Sequence, residues 1–132
     1  MLREEALFAN EAFYVAFATR DLAAMDDVWA HRPDVVCIHP GWPALTDRAT
    51  VMESWSRILG NARQPTVVAH ALTTVPCGEA MLVVCYERLE DTVMVASNLF
   101  VPGAGGPRLL IHHAGLCSDP PELPSTRQKL DA

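Results

Sequence analysis

The hydrophobic periodicity of the sequence changes at Pro65, and this change restricts the fold more than any other feature. Before Pro65, apolar residues recur every three or four positions, which is typical of amphipathic helices. After Pro65, the pattern predicts strands over Thr66–Val75, Ala80–Leu89, Thr92–Val101 and Arg108–Leu116. Short turns separate these segments, so consecutive strands are expected to pair antiparallel. The sequence therefore predicts an α+β fold, in which helices cover one face of a sheet.

The first half of the chain predicts three helices and one strand. The first helix begins near Leu2 and ends near Thr19. The second is expected over residues 22–30 behind an Asp21 cap, and the third follows the cap candidate Asp47 and ends at Gly60. Between the last two helices, residues 35–39 read VVCIH, a short buried strand closed by a Pro-Gly turn.

Composition excludes several classes of protein. The 132 residues suffice for one domain, predicted over residues 1–117 and followed by a Pro-rich C-terminal tail over 118–132. Net charge is −6 and the ten cationic residues do not cluster, which argues against nucleic-acid binding. Charged residues interrupt the apolar runs, so no membrane association is expected. The N-terminus places Arg3, Glu4 and Glu5 where an export signal needs apolar residues, and a cytoplasmic location is expected.

Cysteine spacing offers no metal motif. The four cysteines, at positions 37, 77, 85 and 117, form no C-x-x-C pair and lie in apolar segments, so buried thiols are expected.

Two stretches carry a family resemblance: FATRDLAAMDDVWAHRPDVVCIHPGW, and the paired strands that end in SNLFV and LLIHHAG. Together they resemble the nuclear transport factor 2-like superfamily, in particular its SnoaL-like, ketosteroid-isomerase-like branch. The resemblance covers about residues 1–116. It implies a cone of three helices packed on a curved, mainly antiparallel sheet, an enclosed apolar pocket and a homodimer. Steroid isomerases, polyketide cyclases and dehydratases share this fold, so the fold alone does not select a function.

His39 is the first candidate for chemistry, because it ends a buried strand directly before a turn. Imidazole suits proton transfer near neutral pH. In the similar steroid isomerases an aspartate base precedes a proline at this place, so the resemblance puts His39 at the base position. Their helical tyrosine, an oxyanion donor, corresponds to Phe13, with Tyr14 about 100° further around the helix. Alternatively, His39 forms only a structural hydrogen bond.

A second candidate cluster follows from strand register. If Glu90-Asp91 is a two-residue turn, Glu87 lies opposite Met94, Cys85 opposite Ala96 and Val83 opposite Asn98. Extending the count with Val101 opposite Arg108 places His113 beside Ala96, whereas a slip of one residue substitutes His112. The sequence thus predicts Glu87, Asn98 and His113 together in an apolar cavity, either as pocket chemistry or as a structural hydrogen-bonded group.

These candidates define a working hypothesis for function. The leading interpretation is a pocket protein that binds an apolar, carbonyl-bearing small molecule and performs isomerisation, dehydration or cyclisation without a cofactor or metal. His39 moves the proton, His113 and Glu87 orient or polarise, and Asn98 donates to an oxyanion. The expected ligand contacts are Trp42, Trp55, Phe13, Tyr14, Cys85, Phe100 and His112. The alternative is a non-catalytic ligand-binding or dimerisation module.

The other face of the same strands predicts self-association. By the same register it carries Leu82, Val84, Tyr86, Arg88, Val93, Val95, Ser97 and Leu99. A solvated face of an antiparallel sheet is normally polar, so this apolar face is expected to be covered in a homodimer, chiefly through Leu82, Val84, Tyr86, Val95 and Leu99.

Overall fold

The computed structural model describes residues 1–123. It confirms the α+β class and the three helices on a curved sheet. The elements are α1 (Arg3–Ala18), α2 (Leu22–Val28), β1 (Val36–Ile38), α3 (Arg48–Gly60), β2 (Val67–Cys77), β3 (Ala80–Leu89), β4 (Thr92–Val101) and β5 (Arg108–Leu116). The predicted tail begins within the described part, but residues 124–132 lie outside it.

Helix boundaries follow from local hydrogen bonds. Asp21 caps α2 by accepting a 3.0 Å bond from the Ala24 backbone N–H, and Asp47 caps α3 in the same way. The predicted end of α2 at Ala30 is wrong, since the helix ends at Val28. The Ala30 backbone N–H instead donates to the Leu109 carbonyl of β5 over 2.8 Å, so this segment is held against the sheet.

The sheet has the strand order β1-β5-β4-β3-β2, with β1 parallel to β5 and the other neighbours antiparallel. The predicted register between β3 and β4 is confirmed at every pair that was counted, including Glu87 opposite Met94 and Val83 opposite Asn98. Alternate residues of both strands therefore face the helices, and the intervening ones form the outer face of the sheet.

The predicted register between β4 and β5 is wrong beyond its first pairs. Val101 lies opposite Arg108 as counted, but a bulge between Leu99 and Phe100 shifts the pairing by one residue. As a result Ala96 lies opposite Ala114 and not His113. His112, the alternative predicted for a slip of one residue, lies opposite Asn98 and faces inward. His113 lies opposite Ser97 and is exposed.

The core lies between the helices and the inner face of the sheet. Its largest fully buried apolar side chains are Trp29, Trp55, Phe13, Phe100, Met25 and Leu109. Cys37 and Cys85 are buried as predicted, whereas Cys77 is exposed, and the four thiols are free. No helix within residues 1–123 has the length and apolar content that a membrane crossing requires.

Candidate functional site

A pocket of about 490 Å³ opens between α1, α3 and the inner face of the sheet. Its lining consists of Phe17, His39, Pro40, Trp42, Arg57, Ile58, Asn61, Gln64, Val67, Glu87, Leu89, Met94 and His112. Three of these side chains, His39, Glu87 and His112, are polar and at most 4% exposed. We call these three the deep polar group. The walls above it are mainly apolar, which suits a ligand with an apolar body.

His39 follows β1 and its ring is held by α3. Its Nε2 lies 2.9 Å from the Ser54 hydroxyl, which itself donates to the Val51 carbonyl over 2.6 Å. Because the single hydroxyl hydrogen is used in that bond, the His39 Nε2–H must be the donor to Ser54. The other ring nitrogen, Nδ1, is then unprotonated. Burial lowers the pKa of His39 to about 4, so the ring is neutral at pH 7.

Glu87 of β3 is held by a tyrosine of α1. The Tyr14 hydroxyl donates to Glu87 Oε2 over 2.6 Å, and both side chains are buried. Burial raises the pKa of Glu87 to about 6, although the bond from Tyr14 acts in the opposite direction. This value lies near neutral pH, where a carboxyl group can exist in either protonation state and can serve as an acid or a base.

His112 of β5 is held by Asn98 of β4. The Asn98 Nδ2 group donates to Asn10 Oδ1 at 2.9 Å and to the Tyr14 oxygen at 3.1 Å, which leaves Asn98 Oδ1 as an acceptor. The His112 Nδ1–H donates to that oxygen over 2.6 Å. The opposite nitrogen, Nε2, lies 4.0 Å from Glu87 Oε2.

His112 is also a neutral imidazole. Burial, followed by the proximity of His39 and His113, lowers the pKa of His112 to about 3. Its ring centroid lies 6.5 Å from that of His39, so the two imidazoles face the same pocket with space between them.

Aromatic rings fix the orientation of both imidazoles. The His39 ring makes edge contacts with Trp42 and Trp55 at centroid distances of 4.8 and 4.9 Å. The His112 ring lies 5.0 Å from Phe13. These contacts, together with the hydrogen bonds to Ser54 and Asn98, restrict ring rotation and so preserve the tautomers.

The structure divides the residues predicted from the sequence into two layers. The first layer lines the pocket and contains His39, Glu87, His112 and Trp42. The second layer is buried around or behind it and contains Phe13, Tyr14, Trp55, Cys85, Asn98 and Phe100. The placement of His113 in the pocket is wrong, because the bulge turns it to the outer face.

Two other predicted roles change. Both amide hydrogens of Asn98 are donated within the protein and the residue is fully buried, so it positions His112 and cannot donate to a ligand oxyanion. Phe13 and Tyr14, predicted as ligand contacts, do not line the pocket; both are buried against the sheet, where the Tyr14 hydroxyl binds Glu87.

Sequence reasoning missed Asn10 and Ser54, which complete the hydrogen bonding of the site. Asn10 lies one helical turn before Tyr14, and Ser54 is next to Trp55 on the buried side of α3. A small polar residue beside an otherwise apolar helical stripe is the signal that could have found them.

Comparison with known proteins gives one family and many similar folds. Residues 7–117 match the SnoaL-like domain family. A crystal structure from Streptomyces avermitilis, provisionally assigned as a dehydratase of the NTF2-like family, is 29% identical, covers 86% of this chain and 94% of its own, and has a TM-score of 0.79. A protein from Thiobacillus denitrificans, provisionally assigned as a calcium/calmodulin-dependent protein kinase type II association domain, is 30% identical with coverages of 83% and 93% and a TM-score of 0.72.

More distant structures support the fold alone. An NTF2-like protein of unknown function from Pseudomonas putida is 16% identical, covers 85% of this chain and 84% of its own, and has a TM-score of 0.73. No functionally curated protein shows significant sequence similarity to the chain.

Proposed function

Because the chain belongs to the SnoaL-like domain family, and because His39, Glu87 and His112 meet in one pocket, we propose that it dehydrates an apolar β-hydroxy carbonyl compound. The single observation that carries this proposal is the convergence of two neutral imidazoles and one carboxyl group of raised pKa. A group that accepts a proton and a group that donates one, side by side in the same pocket, are the requirement for acid–base elimination. The likeness to the Streptomyces avermitilis protein supports the same reaction class.

In the proposed reaction His39 is the base. Its unprotonated Nδ1 takes the proton next to the carbonyl group, and the electron pair of the broken C–H bond forms the new double bond. The bond from carbon to the β-hydroxyl breaks, and the protonated form of Glu87 gives that oxygen its proton, so water leaves. Return of one proton from His39 to Glu87 resets the site. Isomerisation or cyclisation would begin with the same proton removal.

The outer part of the pocket supports binding of the carbonyl group. Arg57, Asn61 and Gln64 line it and carry N–H donors, in contrast to the deep polar group. Arg57 is largely exposed and forms a 2.8 Å ion pair with Glu53. It therefore offers N–H donors whose positive charge is partly neutralised.

The test uses 4-hydroxy-4-phenylbutan-2-one, a β-hydroxy ketone whose dehydration gives a conjugated enone that absorbs ultraviolet light. We expect enone formation above the buffer rate, a loss of about 100-fold or more in His39→Gln, and no loss in His113→Gln, which makes the same change at an exposed position. Melting temperature is measured beside the rate. No turnover by the parent protein across a panel of such ketones, or equal rates in both variants, contradicts the proposal.

A second candidate function, assembly of copies of this chain, is favoured by the outer face of the sheet. Leu82, Val84, Tyr86, Val95 and Leu99 are only half-buried there. An apolar surface of this kind on an isolated subunit commonly marks an interface. The likeness to the Thiobacillus denitrificans association domain supports self-association.

A further inference from the structure

We infer that the deep end of the pocket recognises a hydroxyl hydrogen, so that the ligand enters with its hydroxyl group innermost and its carbonyl group towards the mouth. The side chains around the deep polar group determine which of its atoms carry hydrogen, and the group therefore offers acceptors to a ligand. The identity of the ligand as a β-hydroxy carbonyl compound rests on the proposed function, whereas the hydrogen-bond direction rests on the geometry alone.

The Tyr14 hydroxyl has one hydrogen to donate. It donates that hydrogen to Glu87 Oε2 over 2.6 Å. Towards Asn98 the Tyr14 oxygen can therefore act only as an acceptor. This requirement turns the Nδ2 group of Asn98 to Tyr14 and Asn10, where it donates at 3.1 and 2.9 Å.

The orientation of Asn98 in turn fixes the tautomer of His112. Because Asn98 Nδ2 donates to Tyr14 and Asn10, Asn98 Oδ1 faces His112 Nδ1 at a distance of 2.6 Å. Since that oxygen can only accept, the hydrogen bond requires a hydrogen on Nδ1 of His112. The neutral ring then has no hydrogen on Nε2. Glu87 thus determines, through Tyr14 and Asn98, that His112 presents a lone pair to the pocket.

His39 also presents an unprotonated ring nitrogen, for a different reason. Ser54 donates to Val51, so His39 donates from Nε2 and keeps a lone pair on Nδ1. His112 Nε2, His39 Nδ1 and the ionised form of Glu87 therefore all accept hydrogen bonds. A ligand hydroxyl can donate its one hydrogen either to His112 Nε2 or to Glu87 Oε2, because these atoms are 4.0 Å apart and both lie within reach of one oxygen.

A ligand that lacks a donor would leave these buried acceptors without partners. An unpaired buried polar group weakens binding far more than a missing methyl group does. A bare carbonyl group would also bring its own lone pairs against those of His112 and Glu87. The N–H donors of Arg57, Asn61 and Gln64 lie at the outer part of the pocket, so the carbonyl group is expected there.

The binding test compares three probes with one bicyclic body: 2-naphthol, 2-methoxynaphthalene and 2-acetylnaphthalene. We expect 2-naphthol to bind at least about tenfold more tightly than the other two at pH 7, by titration calorimetry. His112→Phe keeps a ring and removes one of the three acceptors, so the preference for 2-naphthol should fall several-fold, while His113→Phe should keep the parental preference. Equal binding of all probes by the parent overturns the inference alone, and failure of all three to bind overturns the proposed function as well.

A second measurement needs neither a ligand nor a variant. Long-range ¹H–¹⁵N NMR spectra of the parent protein distinguish a protonated ring nitrogen from an unprotonated one for each of its five histidines. We expect His112 with hydrogen on Nδ1 and His39 with hydrogen on Nε2. Hydrogen on Nε2 of His112 overturns the inference whatever the probes or the enone assay show.

Discussion

Tyr14 and Glu87 are 73 positions apart in the sequence, yet the tyrosine hydroxyl lies 2.6 Å from the carboxylate in a buried contact between α1 and β3. The contact joins the helical layer to the sheet at the inner end of the pocket. It also gives an ionisable group in an apolar cavity the partner that burial demands. The stability and the chemistry of the site therefore depend on the same hydrogen bond.

Removal of that bond should have two measurable effects. Tyr14→Phe leaves Glu87 Oε2 without its donor and Asn98 Nδ2 without one acceptor, so the free energy of unfolding should fall by about 1–3 kcal/mol. The pKa of Glu87 should rise above its value of about 6, because the lost bond favours the ionised form. Urea denaturation and ¹³C NMR titration measure these effects. Tyr86→Phe, on the outer face, is the control; equal changes in both variants would contradict a specific role for Tyr14.

The buried ionisable groups give stability a defined pH dependence. The pKa of Glu87 is raised from 4.5 to about 6, so its contribution is complete below pH 4.5 and is lost as pH rises through 6. The pKa values of His39 and His112 are lowered from 6.5 to about 4 and about 3. Their contributions are complete above pH 6.5 and are lost as pH falls through those values.

Between pH 4.5 and 6 the two histidines outweigh the one carboxyl group. The free energy of unfolding should therefore fall with acidification by roughly 1 kcal/mol per pH unit. In Glu87→Gln the opposing group is absent and the slope should be roughly twice as steep. Glu90→Gln, in the exposed turn after β3, should keep the parental slope. Denaturation at several pH values measures these slopes. A slope for Glu87→Gln that is no steeper than the parental slope would contradict a raised pKa of Glu87.

A double-mutant cycle tests the register of β5. Glu87→Gln and His112→Phe should be non-additive by about 0.5–3 kcal/mol, since the two side chains approach to 4.0 Å and share the Tyr14–Asn98 hydrogen bonds. Glu87→Gln and His113→Phe should be additive, because His113 faces the other side of the sheet. The reverse result would mean that the bulge between β4 and β5 is misplaced.

The two strand pairings show where sequence reasoning succeeds. The β3–β4 register was predictable because a two-residue turn determines every opposite pair. The β4–β5 register began correctly at Val101 and Arg108 and then slipped at a bulge. Nothing in the alternation of apolar residues marks that bulge, and a single extra residue exchanged His113 for His112.

The position of a site residue was predictable where it lies on a strand, whereas its hydrogen-bonding role was not. His39 was found because it precedes a Pro-Gly turn, and Glu87 because the hairpin count turned it inward. The roles of Tyr14 and Asn98 depend on which hydrogen each group can still donate. That property emerges only from the contacts of all their neighbours, including Asn10.

Ser54 should control the tautomer of His39. Ser54→Ala removes the acceptor of the Nε2–H bond, which spans 2.9 Å, and should lower the free energy of unfolding by about 1 kcal/mol. It should also slow any turnover, because the ring is no longer held with Nδ1 unprotonated. Ser56→Ala, an exposed change on the same helix, is the matched control. Denaturation and NMR of the His39 ring would show the difference; an unchanged tautomer in Ser54→Ala would contradict this role.

The outer face of the sheet should determine the oligomeric state. Val95 lies opposite Tyr86 near the middle of that face, and both are only half-buried in the single chain. In a homodimer through this face, Val95→Arg would bury a charge without a partner, at a cost of several kcal/mol by rough estimate. Light scattering after size exclusion should report a dimer for the parent and a monomer or aggregate for Val95→Arg. Val15→Arg makes the same change on α1 at a side chain that is 48% exposed, and it should leave the dimer intact. A monomeric parent at micromolar concentration, or dissociation of both variants, would contradict an interface on this face.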